Sequence, residues 1–134
     1  MITEAKTPQV FTAITWNCEG IGNSIFALKE MLERFSPDFA FLSESQIFSA
    51  DLEMTMSVLG DSYCWYLNSD DMHDRDLVLT RTRSLGGTLL LWRKSLDPYI
   101  SIQQVDTPAF TPILFQQPGY QTSIHIGLYL PTSG

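Results

Sequence analysis

The pattern that most constrains this chain is an apolar strand, an amphipathic helix and a second apolar strand, following one another between Val10 and Ser43. Val10, Thr12 and Ile14 share one face of the first strand, and Phe11, Ala13 and Thr15 share the other. Neither face carries a charge, which predicts a central strand covered on both sides. Gly20 and Gly22 break the extended run, and Ser24 is placed as the N-cap of a helix. Ile25, Leu28, Met31, Leu32 and Phe35 then recur at helical spacing, with Lys29, Glu30, Glu33 and Arg34 outside. Ser36-Pro37-Asp38 ends the helix, because proline has no N–H to continue it and pushes the residue before it toward extended geometry. Phe39-Ala40-Phe41-Leu42-Ser43 is a short buried strand. Two strands joined by one crossover helix run parallel, so their carboxyl ends lie side by side. Asn17 leaves the first strand and Glu44 the second, which puts an amide and a carboxylate at the sheet edge where open α/β folds place their chemistry.

Beyond this unit the pattern turns to strands. Ala50–Leu59 fits a helix stopped by Gly60, and Tyr63–Leu67 is an aromatic strand followed by a polar, acidic stretch from Asn68 to Asp76. Its aspartates, Asp70, Asp71, Asp74 and Asp76, lack the central glycine and terminal glutamate of a calcium loop, so a solvated loop is expected. Gly86-Gly87 introduces the apolar strand Thr88–Trp92, flanked by Arg81, Arg83, Arg93 and Lys94, the candidate contacts for a polyanion. Tyr99–Val105, Phe110–Phe115 and a last strand after the Gln117-Pro118-Gly119 turn complete a largely antiparallel β-meander. In that last strand Ile124, Ile126, Leu128 and Leu130 alternate with Ser123, His125, Gly127 and Tyr129. The apolar faces of 87–92 and 121–130 are expected to await a further layer, which favours self-association.

At 134 residues the chain fits one domain spanning 1–134. Its net charge of −7 argues against broad nucleic-acid binding while leaving room for a local basic strip. Cys18 and Cys64 are expected as free thiols, and with only His73 and His125 as imidazoles they make no zinc site. No apolar run reaches the ~20 residues that span a bilayer. Residues 1–9 lack the basic start and apolar core of a signal peptide, so an intracellular protein without membrane partners is expected, with nucleus and cytoplasm not distinguished.

Four features, in this order, resemble the endonuclease/exonuclease/phosphatase superfamily: Thr15-Trp16-Asn17-Cys18-Glu19-Gly20; Ser36-Pro37-Asp38 with Leu42-Ser43-Glu44-Ser45; Gly86-Gly87-Thr88-Leu89-Leu90; and Leu128-Tyr129-Leu130-Pro131. Within it the chain is most similar to the endonuclease domains of non-LTR retrotransposon polyproteins. The resemblance implies the N-terminal half of a four-layer α/β sandwich that cleaves phosphoester bonds with Mg²⁺ or Mn²⁺. It implies Glu44 and Asn17 as metal ligands, these two with Tyr129 as catalytic residues, and DNA as partner of the full-length protein. The family's later Gly-Asp-x-Asn and Ser-Asp-His segments have no counterpart in this sequence, and neither His73 nor His125 takes the place of the family's histidine. The 134 residues alone are therefore expected to be inactive, and to self-associate or to pair with a C-terminal half. The alternatives are a non-catalytic half-sandwich that serves binding or structure, and the phosphatase or lipid-phosphodiesterase branches of the superfamily.

Overall fold

The computed structural model describes residues 11–47, 49–68, 87–103, 110–119 and 123–128. The opening unit is β1 (Ala13–Asn17), α1 (Ile21–Phe35) and β2 (Phe39–Ser43), with β1 and β2 parallel and Ala13 opposite Phe39. A short helix, α2 (Ser49–Met56), continues as a 3₁₀ turn and stops at Gly60, whose φ of 74° is open to glycine without strain. Then come β3 (Tyr63–Asn68), β4 (Thr88–Arg93), a 3₁₀ stretch Lys94–Tyr99, β5 (Ile100–Ile102), β6 (Phe110–Phe115) and β7 (Ser123–Leu128). They form a four-stranded sheet in the order β1-β2-β4-β3 and a three-stranded meander β5-β6-β7.

Side-chain alternation divides the core in two. Even positions of the opening strands, Ile14, Trp16, Ala40 and Leu42, join Leu89 and Leu91 of β4 against Ile21, Ile25, Leu28 and Leu32 of α1. Phe39, Phe41, Leu90 and Trp92 face the other way and meet Ile113 and Phe115 of β6. There the Phe115 ring stands edge-on to Phe39 at 6.1 Å and to Phe11 at 4.9 Å, a favoured aromatic arrangement. Helices, mixed sheet and meander are thus stacked as layers of the expected α/β half-sandwich.

Four expectations are corrected. First, α1 starts at Ile21, not after Ser24: Gly20 is its N-cap residue, and the Ser24 hydroxyl donates to the Cys18 carbonyl at 3.1 Å. Second, Phe35 is 61 % exposed rather than on the buried face, because the helix ends there and Ser36 turns left-handed. Third, β1 is an edge strand of its sheet among the described residues: β4 pairs with the inner edge of β2, and Ala13, Thr15 and Asn17, on the face that carries the meander, are exposed. Fourth, β4 needs no further layer, since Thr88–Trp92 are all buried between the helices and the meander. The end of the last predicted strand, at Tyr129 and Leu130, lies outside the described residues, as does the acidic stretch 69–76.

Candidate active site at the strand mouths

Asn17 and Ser43 face each other in the last rung of the parallel pair, so both chains leave the sheet at the same end. They then stay together. Cys18 N–H donates to the Ser43 carbonyl at 3.0 Å, Gly20 N–H to that of Glu44 at 2.8 Å and Ile21 N–H to that of Ser45 at 2.9 Å. Ser45 N–H in turn donates to the Gly87 carbonyl at 3.2 Å, which ties the approach to β4 to the same place. The turn from β1 into α1 is therefore laid along the exit of β2.

This backbone ladder holds two glutamates in the left-handed region, Glu19 at φ 47° and Glu44 at φ 52°, with Gln46 close behind at 48°. Such conformations cost a non-glycine residue of order 1 kcal/mol or more and persist where surrounding bonds fix them, often at functional sites. Asn17 is exposed and Glu44 half-buried. Glu19 is the carboxylate that sequence reasoning passed over; an acid directly before a glycine in a strand-to-helix turn was the available signal. Both glutamates raise the pKa of the Cys18 thiol, so both fields converge there. The positive end of the α1 dipole opens at this turn without a side-chain cap or an acid in its first turn.

Burial first, then those carboxylates, push the Cys18 thiol up to about 11, and it donates weakly to the carbonyls of Ser43 (3.3 Å) and Glu44 (3.5 Å). The stabilisation from keeping it protonated is full below the unfolded pKa of 9.0 and is lost as pH rises toward 11. At pH 8 its thiolate is about 100-fold scarcer than that of an ordinary cysteine, so alkylation by iodoacetamide is expected to lag behind that of unfolded chain by at least that factor. Equal rates with and without urea would contradict this placement.

The side chains at this sheet end that could hold a metal are hard oxygen donors, the exposed Asn17 carboxamide and the half-buried Glu44 carboxylate; next to them in sequence, Ser45 Oγ and Gln46 Oε1 are buried without a hydrogen-bond partner. Oxygen donors with a protonated thiol fit Mg²⁺ or Mn²⁺, which keep part of their water shell, and not a thiolate metal. Among the described residues no three His, Cys, Asp or Glu converge as a metal cluster.

Of the other predicted site residues, the two that are described, Arg93 and Lys94, are not brought here. Arg93 lies at the far end of β4, where its Nε bonds Asp38 Oδ1 at 3.1 Å and its guanidinium also donates to the Ser36 carbonyl. Asp38 Oδ2 accepts from Thr12 N–H at 2.8 Å, so this carboxylate pins the start of β1 to the end of β4. Lys94 is exposed, with Asp61 Oδ2 at 3.9 Å. Arg81, Arg83, Tyr129 and His73 lie outside the described residues, and His125 falls in β7.

No family model matches this chain, and no curated protein matches it in sequence. Solved structures do match. The AP endonuclease LMAP of Leishmania major superposes with a TM-score of 0.67 at 14% identity, over 92% of this chain and 41% of that one. The APE2 catalytic domain of Xenopus laevis gives 0.60 at 16% identity, over 90% of this chain and 46% of that one. A truncated TDP2 of Caenorhabditis elegans gives 0.56 at 14% identity, over 92% and 47%. The chain thus spans less than half the length of each of these structures, and it has the fold of the endonuclease/exonuclease/phosphatase superfamily, in its N-terminal part.

Proposed function

We propose that this chain carries the metal-holding part of a divalent-metal-dependent phosphodiesterase that acts on DNA, an endonuclease of the kind found in non-LTR retrotransposon polyproteins. One observation carries the reading: the parallel β1/β2 pair delivers Asn17 and Glu44 to the same sheet end, on a fold shared with AP endonucleases. In this proposal Glu44 and Asn17 hold Mg²⁺ or Mn²⁺, with Glu19 on the facing turn as a further carboxylate. Tyr129 takes the place of the phenol near the scissile phosphate.

When bound, the ion supplies charge neutralisation at a phosphate oxygen and at the leaving oxygen. The rest falls to the chain. Glu44 is half-buried, where water screens an ionic contact less than at an open surface. The exposed Asn17 amide is set by the last rung of the pair, so it can donate to a non-bridging oxygen without reordering the backbone. Intracellular placement and DNA as partner belong to the same proposal, with Lys94 as the exposed phosphate contact and Arg93 engaged by Asp38.

The absence of a three-residue metal cluster among the described residues favours the second reading, a non-catalytic binding module. Paramagnetic broadening separates the two. Titrating Mn²⁺ into the chain is expected to broaden the side-chain amide signals of Asn17 early, and Glu44→Gln is expected to shift that broadening to much higher Mn²⁺. Identical titrations of the two proteins would leave the binding module.

A further inference from the structure

At the opposite end of the sheet, where β2 begins and β4 ends, a cavity of about 220 Å³ lies between Lys29, Leu32 and Glu33 of α1, Leu59 and Tyr63 at the approach to β3, and Arg93 of β4. None of its lining residues belongs to the strand-mouth site. The Ala13–Phe39 rung that marks this end is about 13 Å along the strands from the Asn17–Ser43 rung, at ~3.3 Å per residue.

The last turn of a helix is ordinarily a poor place for an anion, because its free carbonyls carry partial negative charge. Here they are answered. The Leu32 carbonyl accepts from Ser36 N–H at 3.0 Å, that of Ser36 from the Arg93 guanidinium, and that of Pro37 from the Tyr63 hydroxyl at 2.6 Å. Donors remain. The bonds of Arg93 to Asp38 and Ser36 use two of the five guanidinium N–H groups and fix the plane of the others. Lys29 is half-buried, yet it makes no ion pair among the described residues, although Glu33 stands one turn further on. A partly desolvated cation without a counterion is unfavourable, and a bound anion relieves it.

The charges also say which anion. Asp38 offsets Arg93, and Glu33, exposed on the same wall, opposes a second negative charge, so a monoanion fits better than a dianion. A planar carboxylate matches the guanidinium fork. Leu32 and Leu59 offer apolar surface to a carbon chain, and the space of about seven waters at ~30 Å³ each admits only a short one.

We infer that this cavity binds a small organic monocarboxylate, held between the Lys29 ammonium and the Arg93 guanidinium at the end of the sheet away from the strand mouths. Nothing in it depends on the phosphodiesterase reading.

The test titrates the 134-residue chain with sodium butyrate at constant ionic strength, set by sodium chloride, while proton–nitrogen NMR signals are followed. Butyrate is expected to give saturable shifts at Lys29, Ser62 and Arg93, including Arg93 Nε–H, and none at Asn17. Dimethyl phosphate, a monoanion without the planar carboxylate, is expected to bind about tenfold more weakly. Lys29→Met keeps the stem and removes the ammonium, and is expected to raise the butyrate Kd about tenfold or more, whereas Lys29→Arg is expected to stay within about threefold. Shifts that do not saturate, saturable shifts that miss these residues, equal binding of dimethyl phosphate, or an unchanged Kd in Lys29→Met would each overturn the inference. The mapping and the comparison of anions use the unsubstituted chain, so they decide the matter whatever Lys29→Met does to folding.

Discussion

Replacing Leu91 by Ala is expected to lower the unfolding free energy by about 3–5 kcal/mol, the upper part of the range for buried leucines. Leu91 is wholly buried in the middle of β4, and its register partners are Ala40 on one side and Trp65 on the other. Ala40 has only a methyl group, which cannot swing into the hole, and Leu28 and Leu32 approach from a helix whose position is fixed by its whole buried stripe. The cavity therefore stays open. A domain has about 5–15 kcal/mol in hand, so the loss takes a large share of it. Urea denaturation reads it as a fall in midpoint at unchanged slope. Met54→Ala, at a position 74 % exposed, is the control and is expected to stay within about 0.5 kcal/mol. A cost below about 1 kcal/mol at Leu91 would mean that the two layers on β4 are less closely packed than described.

In a longer polypeptide that carries this chain, Glu44→Gln is expected to reduce Mg²⁺-dependent nicking of supercoiled DNA by about 10³-fold or more. The substitution keeps length and shape, so the ladder that sets φ at Glu44 survives, while the charge that attracts a divalent cation is gone. Lewis-acid stabilisation is worth several kcal/mol at about 1.4 kcal/mol per tenfold in rate, which sets the size of the loss. Raising Mg²⁺ should recover part of the rate if weakened binding is the cause. Nicking within about tenfold of the unsubstituted protein would remove Glu44 from the metal site.

Much of this was legible because the signals are local. β2, β3 and β4 each announce themselves as an apolar run, and a strand-helix-strand order places Asn17 and Glu44 at one end before any coordinates are known. What was not legible depends on contacts distant in sequence. Gly22 reads as a breaker, yet it sits within the first turn of α1 with open space where a Cβ would be, because the helix is started by Ile21 N–H on the Ser45 carbonyl. β1 reads as central because its residues are uncharged, but strand order is decided by β4 inserting beside β2. Glu19 escaped notice for the same reason: its left-handed turn is imposed by β2, not by its own neighbours.

The insertion of β4 also sets an order of events at the ribosome. Once β2 has emerged, its inner edge presents unpaired N–H and C=O groups, and Ser45 N–H waits for the Gly87 carbonyl. Both are answered only when the segment that begins at Gly87 has been made. The mouth that holds Glu44 is thus among the later parts of the sheet to be completed, although its residues are translated early. A nascent chain halted before Thr88 shows its neighbours an open strand edge, the feature that recruits other strands and seeds aggregation. A pause of translation between β3 and β4 therefore prolongs the time for which that edge of β2 stands open.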